Sequence, residues 1–123
     1  MKKILAAILA GLMALSMAAC GAAGSGTGDG SDKVYRVGII QLVTHDALDA
    51  ATKGFQDALT AELGEGSVKF DLQNAAGDSN TCATIVNSFV SNQVDLIMAN
   101  ATPALQAAAA ATADIPILGT SVT

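Results

Sequence analysis

The side chains best suited to chemistry in this sequence are uncharged amides and hydroxyls that follow apolar, strand-like segments. Gln41 ends the first such segment, Asn100 and Thr102 follow the third, and Thr120 and Ser121 close the fourth. Amides and hydroxyls donate and accept hydrogen bonds, and of the two only a hydroxyl becomes a nucleophile, when a base lies beside it. These residues therefore favour holding a small polar molecule over transforming it.

The single histidine, His45, has Asp46 beside it but no serine or cysteine nucleophile nearby in the sequence. We therefore predict no enzymatic activity, and we expect His45 to cap the helix that follows it or to line a binding cleft. The sequence holds no cluster of histidine, cysteine and carboxylate residues, so it predicts no metal site. It predicts no dinucleotide cofactor either, because Gly38 stands alone without a glycine-rich phosphate loop.

The segment Asn100-Ala101-Thr102-Pro103 joins a strand pattern to an alanine-rich helix. Free backbone N–H groups and the positive end of the helix dipole meet at such a junction, which suits a carboxylate or a phosphate. We expect Thr102 to cap the helix, with proline at the first helical position, and its hydroxyl can also contact a ligand. Asp78, in an earlier loop, is expected to be a turn residue.

Four apolar strand patterns, alternating with three helical patterns, must position these candidates. We predict strands at residues 34–42, 68–72, 94–99 and 115–120. The first helix is expected to begin at Asp46, the second to be capped by Ser79 or Asn80, and the third to begin at Thr102. This alternation is typical of a parallel sheet covered on both faces, a doubly wound α/β fold. Chain order alone allows a 3-2-1-4 or a 2-1-3-4 arrangement. In both, ligands bind at the carboxyl ends of the strands.

The amino-terminal residues predict export and lipidation. Two lysines precede an apolar stretch at residues 4–19, and small residues lead into Cys20, as in a lipobox. Residues 1–19 would be a signal peptide, Cys20 would carry the lipid, with palmitate among its acyl chains, and residues 20–33 would be a flexible tether. The expected location is the extracytoplasmic face of the cell membrane. The alternatives are an ordinary signal peptide or a short anchor helix.

The charge balance excludes several classes of partner. The net charge is −5, and without residues 1–19, which hold two lysines, 4 basic residues face 11 acidic ones, a net charge of −7. This balance argues against nucleic acid and against electrostatic adhesion to anionic lipid, so the lipid on Cys20 must hold the protein at the membrane. Cys82 is left without a disulfide partner, and we expect it to be a small core residue on an apolar helix face.

Residues 37–55, which read VGIIQLVTHDALDAATKGF, resemble the opening of the tryptophan/tyrosine-type ABC-transporter substrate-binding lipoproteins. Residues 73–78, 94–104 and 114–117 resemble that family in the same order, so the resemblance covers nearly all of residues 34–123. It implies a type I periplasmic-binding-protein fold, in which two α/β lobes close on a ligand, with strand order 2-1-3-4-5. Residues 34–123 would then form most of the N-terminal lobe. The second lobe would be absent, and we expect the sequence to be part of a longer one.

The resemblance also implies a function, namely an extracytoplasmic solute-binding lipoprotein of an ABC importer that delivers an amino acid, such as an aromatic one, to a permease. By position, the Thr102 region and the edge formed by Thr120 and Ser121 would hold the ligand's carboxylate or amine. Gln41 and His45 would line the cleft. The alternative is a surface-tethered domain that senses a ligand for a signalling partner. Neighbouring permease and ATPase genes would favour transport, whereas a neighbouring histidine kinase would favour sensing.

Overall fold

Strands and helices alternate along the chain in the computed structural model, which describes residues 33–123. The strands are β1 (Tyr35–Gln41), β2 (Val68–Asn74), β3 (Leu96–Asn100) and β4 (Ile117–Thr120). The helices are α1 (Asp46–Leu63), α2 (Ser79–Ser91) and α3 (Thr102–Ala111). The predicted signal peptide, Cys20 and all of the predicted tether except Lys33 lie outside the described residues. None of the three helices is long and apolar enough to cross a membrane.

The four strands form one parallel sheet in the order β2-β1-β3-β4. This order confirms the doubly wound α/β fold and the 2-1-3-4 arrangement. The chain leaves β1 for β2 on one side and returns to β3 on the other, so the strand order reverses between β1 and β3. In open α/β sheets the crevice beyond the carboxyl ends of such strands is the usual ligand site.

Helices cover the two faces of the sheet with separate apolar layers. On one face, α1 packs Phe55 and Leu59 against Val37, Ile39 and Met98. On the other, α2 and α3 pack against the opposite side chains of the same strands; the buried members include Ile40, Val86, Phe89, Ile97, Ala104 and Ala108. Because both faces are covered, β1 and β3 are almost continuously apolar, as central parallel strands usually are.

Gly38 allows α2 to approach the sheet closely. A Cβ atom at this position would lie 2.6 Å from the Cγ and Cδ2 atoms of Phe89, which is fully buried. No carbon atom fits at that distance, so any larger residue would push the ring and its helix away. Gly38 therefore has a packing role, which is consistent with the absence of a phosphate loop around it.

The strand bounds differ from the predicted ones at several ends. β2 runs to Asn74 rather than to residue 72, because parallel pairing of Ile40 with Gln73 and of Gln41 with Asn74 continues the ladder through polar residues. β3 begins at Leu96 and β4 at Ile117, each two residues later than predicted. β2 and β3 therefore extend further into polar residues at their carboxyl ends than the apolar pattern predicted.

Cys82 lies in the core, as predicted. Its side chain is fully buried on the inner face of α2, and the thiol is free. Burial, together with the nearby negative charge of Asp78, raises the pKa of the Cys82 thiol. The thiol is therefore uncharged at neutral pH and behaves as a small apolar group.

Candidate functional site

The last residues of the four strands form a row of polar side chains along one edge of the sheet, which we name the carboxyl edge. Asn74 pairs with Gln41, Gln41 pairs with Asn100, and Asn100 pairs with Thr120. These are two asparagines, one glutamine and one threonine, without a charge among them. The register therefore brings the predicted site residues of separate strands to one edge and adds Asn74, which the prediction had assigned only to a loop.

All three helices begin at the carboxyl edge, and two of them are capped by side chains. The Nδ1 atom of His45 accepts a hydrogen bond from the backbone N–H of Ala47 at 3.2 Å, so His45 caps α1, as predicted. At α2, Asp78 accepts from the backbone N–H of Asn80 at 2.9 Å and from the Thr81 hydroxyl at 2.8 Å. These caps satisfy N–H groups that would otherwise be free for a ligand.

The cap of α2 is a correction to the sequence analysis, which assigned the cap to Ser79 or Asn80 and a turn to Asp78. Helix α2 begins at Ser79, so the residue before it, Asp78, takes the cap position with extended backbone angles. The hydroxyl of Thr81 and the N–H of Asn80 hold the pKa of Asp78 below its usual value. Asp78 is therefore ionised at neutral pH and favourably placed at the positive end of α2.

The start of α3 differs from the starts of α1 and α2. Its cap residue is Ala101, which has no side chain that can accept a hydrogen bond, and a proline follows within the first two helical positions. The prediction that Thr102 caps α3 is wrong, because Thr102 is itself the first helical residue. The first-turn N–H groups of α3 thus have no side-chain cap, and they face the carboxyl edge with the positive end of the helix dipole.

The backbone at this junction is held in an uncommon conformation. Ala101 has φ 98° and ψ 157°, a region that is almost restricted to glycine. Its N–H donates to the carbonyl oxygen of Thr120 at 2.9 Å, and the hydroxyl of Thr102 accepts from the N–H of Thr123 at 3.1 Å. These two hydrogen bonds hold the loop after β4 against the start of α3. Ser121 lies in this loop, where it is exposed and has a positive φ of 55°. The predicted residues Thr102, Thr120 and Ser121 therefore form one group.

Gln41 and Asn100 form a second group on the α1 face of the sheet, beneath the surface. Gln41 is 4% exposed and Asn100 is fully buried. The side-chain N–H groups of Asn100 donate to the carbonyl oxygen of Leu48 at 2.8 Å and to the hydroxyl of Thr52 at 2.9 Å. The Thr52 hydroxyl in turn donates to the Gln41 side-chain oxygen at 2.8 Å. His45 lies nearby in sequence but is exposed.

Thr52 is the site-forming residue that sequence reasoning missed. The apolar face of α1 was assigned to Leu48, Ala51, Phe55 and Leu59, but Thr52 is the residue of α1 that is buried, at 3% exposure. The sequence did indicate that Thr52 is buried, because it falls four residues after Leu48 and three before Phe55, within the apolar stripe of the helix. A hydroxyl in that stripe requires a buried partner.

The arrangement suits reversible binding of a small polar molecule. The start of α3 offers uncapped N–H donors, and the two strand ends next to it carry the amide of Asn100 and the hydroxyl of Thr120. A concavity of about 330 Å³ lies instead at the opposite end of the sheet; it is lined by Lys33, Tyr35, Val37, Leu59, Leu63, Asp95 and Leu96. We take the carboxyl edge as the candidate site, because it combines polar groups with the reversal of strand order.

Comparison with known proteins identifies the relatives of this chain. The family model described as ABC transporter substrate binding protein matches residues 36–123. A tyrosine-binding protein of Clostridioides difficile (strain R20291) is 43% identical over 135 aligned positions, which span 99% of this chain and 38% of that protein. The chain therefore spans less than two fifths of the length of this curated relative.

Solved structures of similar proteins match the described fold. A ligand-free, open substrate binding protein with adhesive properties from Clostridium difficile is 46% identical, with a TM-score of 0.70 over 73% of this chain and 31% of its own. An ABC domain in complex with L-Trp from Streptococcus pneumonia is 38% identical, with a TM-score of 0.70 over 74% and 31%. A conserved domain protein from Vibrio cholerae is 36% identical, with a TM-score of 0.71 over the same shares.

Proposed function

The chain belongs to the family of ABC transporter substrate binding proteins, and we propose that it binds a free amino acid, with L-tyrosine or L-tryptophan as the first expectation. The observation that carries this proposal is the uncapped start of α3 beside Thr102 and Thr120. Backbone N–H donors at the positive end of a helix suit the carboxylate that every free amino acid presents. The tyrosine-binding relative and the L-Trp complex support an aromatic ligand.

The polar row supplies the other half of this recognition. An amino acid offers an ammonium group about two bonds from its carboxylate, so acceptors must lie close to the helix start. Asn100 and Thr120 provide an amide oxygen and a hydroxyl oxygen in adjacent strands. Each group lies on the sheet or at a helix end rather than on a long loop, so the edge is largely preformed.

A thermal-shift panel of the full-length protein tests the ligand class. We expect L-tyrosine, L-tryptophan or both to raise the unfolding temperature in a concentration-dependent manner, because a ligand that binds only the native state stabilises it. Tryptamine and indole-3-propionate, which lack the carboxylate and the ammonium group respectively, serve as matched controls and should stabilise less. Stabilisation by a sugar or a nucleoside, with no amino acid active, would contradict the proposal.

We propose further that the bound amino acid is delivered to an ABC permease in the membrane. Membership of the family supports this role. Deletion of the gene should reduce uptake of the labelled amino acid by intact cells, and a plasmid copy should restore it. Unchanged uptake, together with a changed transcriptional response to the amino acid, would favour the sensing alternative.

A lipid anchor at Cys20 would keep the protein at the extracytoplasmic face of the membrane. The lipobox-like residues before Cys20 support this proposal. Cells fed labelled palmitate should incorporate the label into the wild-type protein but not into Cys20→Ala, and the variant should leave the membrane fraction. Wild-type protein without label, or Cys20→Ala retained at the membrane after processing, would refute the anchor.

A further inference from the structure

A chain of buried hydrogen bonds joins α1 to the two central strands at the point where the strand order reverses. Asn100 at the end of β3 donates to the hydroxyl of Thr52, and that hydroxyl donates to Gln41 at the end of β1. Gln41 continues the chain by donating to the carbonyl oxygen of Val43 and to the carboxylate of Asp49. One hydroxyl on α1 thus connects both strands at the candidate site.

These bonds set which atom of each carboxamide points in which direction. The nitrogen of Asn100 faces α1, where the Leu48 carbonyl oxygen and the Thr52 hydroxyl accept its two protons. A rotated amide would place its oxygen against the Leu48 carbonyl oxygen, and two acceptors repel each other. For Gln41, the oxygen is committed to Thr52 and the nitrogen to the loop after β1. Thr52 is the group that both amides share.

The orientation leaves one acceptor unused. The Oδ1 atom of Asn100 is buried and receives no hydrogen bond from any described residue. Buried polar atoms in native proteins almost always have a partner, so Asn100 Oδ1 is available as the acceptor for one further donor at this edge. An acceptor in this place suits a donor such as an ammonium group.

We propose that Thr52 is a positioning residue of the carboxyl edge, which holds the carboxamides of Gln41 and Asn100 so that Asn100 Oδ1 serves as an acceptor for a ligand ammonium group. The proposal rests on the amino-acid function proposed above and deepens it. Thr52 does not touch the ligand; it acts through the two amides. The Thr52 hydroxyl is required both as an acceptor and as a donor, because it accepts a hydrogen bond from Asn100 and donates one to Gln41.

Substitutions at Thr52 in the full-length protein test this role with L-tyrosine and L-tryptophan as probes. Thr52→Val keeps the shape of the side chain but removes the hydroxyl, and we expect it to weaken binding roughly tenfold. Thr52→Ser keeps the hydroxyl and should stay within about threefold of the wild-type affinity. Thr60→Val makes the same change at a half-buried position two turns further along α1 and should leave the affinity unchanged.

A second readout is independent of the ligand. In nuclear magnetic resonance spectra of the free protein, the side-chain amide signals of Gln41 and Asn100 should shift in Thr52→Val and in Thr52→Ala but stay close to wild type in Thr52→Ser. Measuring both hydroxyl-free variants guards against a folding defect in one of them. If the wild-type protein binds neither probe, the proposed function fails, and the amide signals still decide the role of Thr52. Unmoved amide signals or unchanged affinity in the hydroxyl-free variants would overturn the inference.

Discussion

Thr102→Asp places a negative charge at the first residue of α3, where we propose that the ligand's carboxylate binds. In the free protein this charge interacts favourably with the helix dipole, which stabilises native proteins by about 0.3–1 kcal/mol at exposed helix starts. The new carboxylate can also accept the hydrogen bond that Thr102 now receives from Thr123. We therefore expect Thr102→Asp to fold and to unfold at a slightly higher temperature than the wild-type protein.

The effect on binding has the opposite sign and a larger size. Two negative charges about 5 Å apart repel each other by about 3 kcal/mol at an effective dielectric constant of about 20. That energy corresponds to a loss of roughly a hundredfold in affinity. The neutral variant Thr102→Asn should bind nearly as well as wild type, and Gln106→Glu, on an exposed position one turn later, should change affinity by less than about threefold because dipole and charge effects are confined to the first turn.

Isothermal titration of the full-length variants with L-tryptophan and with L-tryptophanamide separates charge from shape. The amide lacks the negative charge, so Thr102→Asp should lose affinity for the acid but much less for the amide. Thermal unfolding of Thr102→Asp without ligand serves as the folding control, because the expected rise in unfolding temperature requires a folded variant. An equal loss for both ligands, or no loss for either, would refute the placement of the carboxylate at the start of α3.

Three further predictions test the packing, capping and core that support the site. Gly38→Ala should destabilise the protein by about 1–3 kcal/mol in urea unfolding, because its Cβ would collide with Phe89, whereas Gly54→Ala, with open space around its Cβ, should stabilise it by about 0.5–1 kcal/mol. Equal effects of the two substitutions would contradict the packing argument. The pKa of Asp78 is lowered in the folded protein, so its charge stabilises the fold above the unfolded pKa of about 3.9, and this stabilisation is lost as the pH falls through the folded pKa. The difference in unfolding free energy between wild type and Asp78→Asn should therefore shrink on acidification. If the difference in unfolding free energy between wild type and Asp78→Asn stays constant between pH 6 and pH 2.5, the charge of Asp78 does not contribute to stability. Cys82 should resist thiol labelling in the native protein and react after unfolding, as mass spectrometry of its peptide would show; rapid labelling under native conditions would contradict its burial.

The fold could be predicted from the sequence because its signals are local and repeated. Apolar strand patterns alternate with helical ones, and this alternation requires a parallel sheet with helices on both faces. The strand order, by contrast, depended on family resemblance, since both arrangements bury the same side chains. The extension of β2 to Asn74 was not predictable from residue types, because pairing with Gln41 rather than local preference keeps those polar residues in the ladder.

The errors at the helix starts have a common physical cause. A side chain that can cap a helix need not occupy the cap position, because that position depends on where the preceding strand or turn releases the chain. At α3 the bond from Ala101 to Thr120 holds the backbone one residue earlier than the Thr-Pro signal suggests. At α2 the same shift gives the cap to Asp78.

The burial of Thr52 could be inferred from the helical stripe of α1, but its hydrogen-bond partners could not. Its bonds to Gln41 and Asn100 join residues 11 and 48 positions away. Such partners are known only once the sheet order and the position of α1 are known. Gln41, Asn100, Thr102 and Thr120 lie at the carboxyl edge, where strand ends were expected to bring them, while His45 and Ser121 are exposed beside it. The contact of all six with a ligand stays a prediction.

Calorimetric titration of the full-length protein with L-tyrosine and L-tryptophan tests whether the carboxyl edge is an amino-acid site. We expect saturable binding of at least one of them with one ligand per chain, competition between any amino acids that bind, and weaker binding when the carboxylate is amidated. Absence of binding by every amino acid, or undiminished binding of the amidated ligand, would contradict the assignment of the carboxyl edge as an amino-acid site.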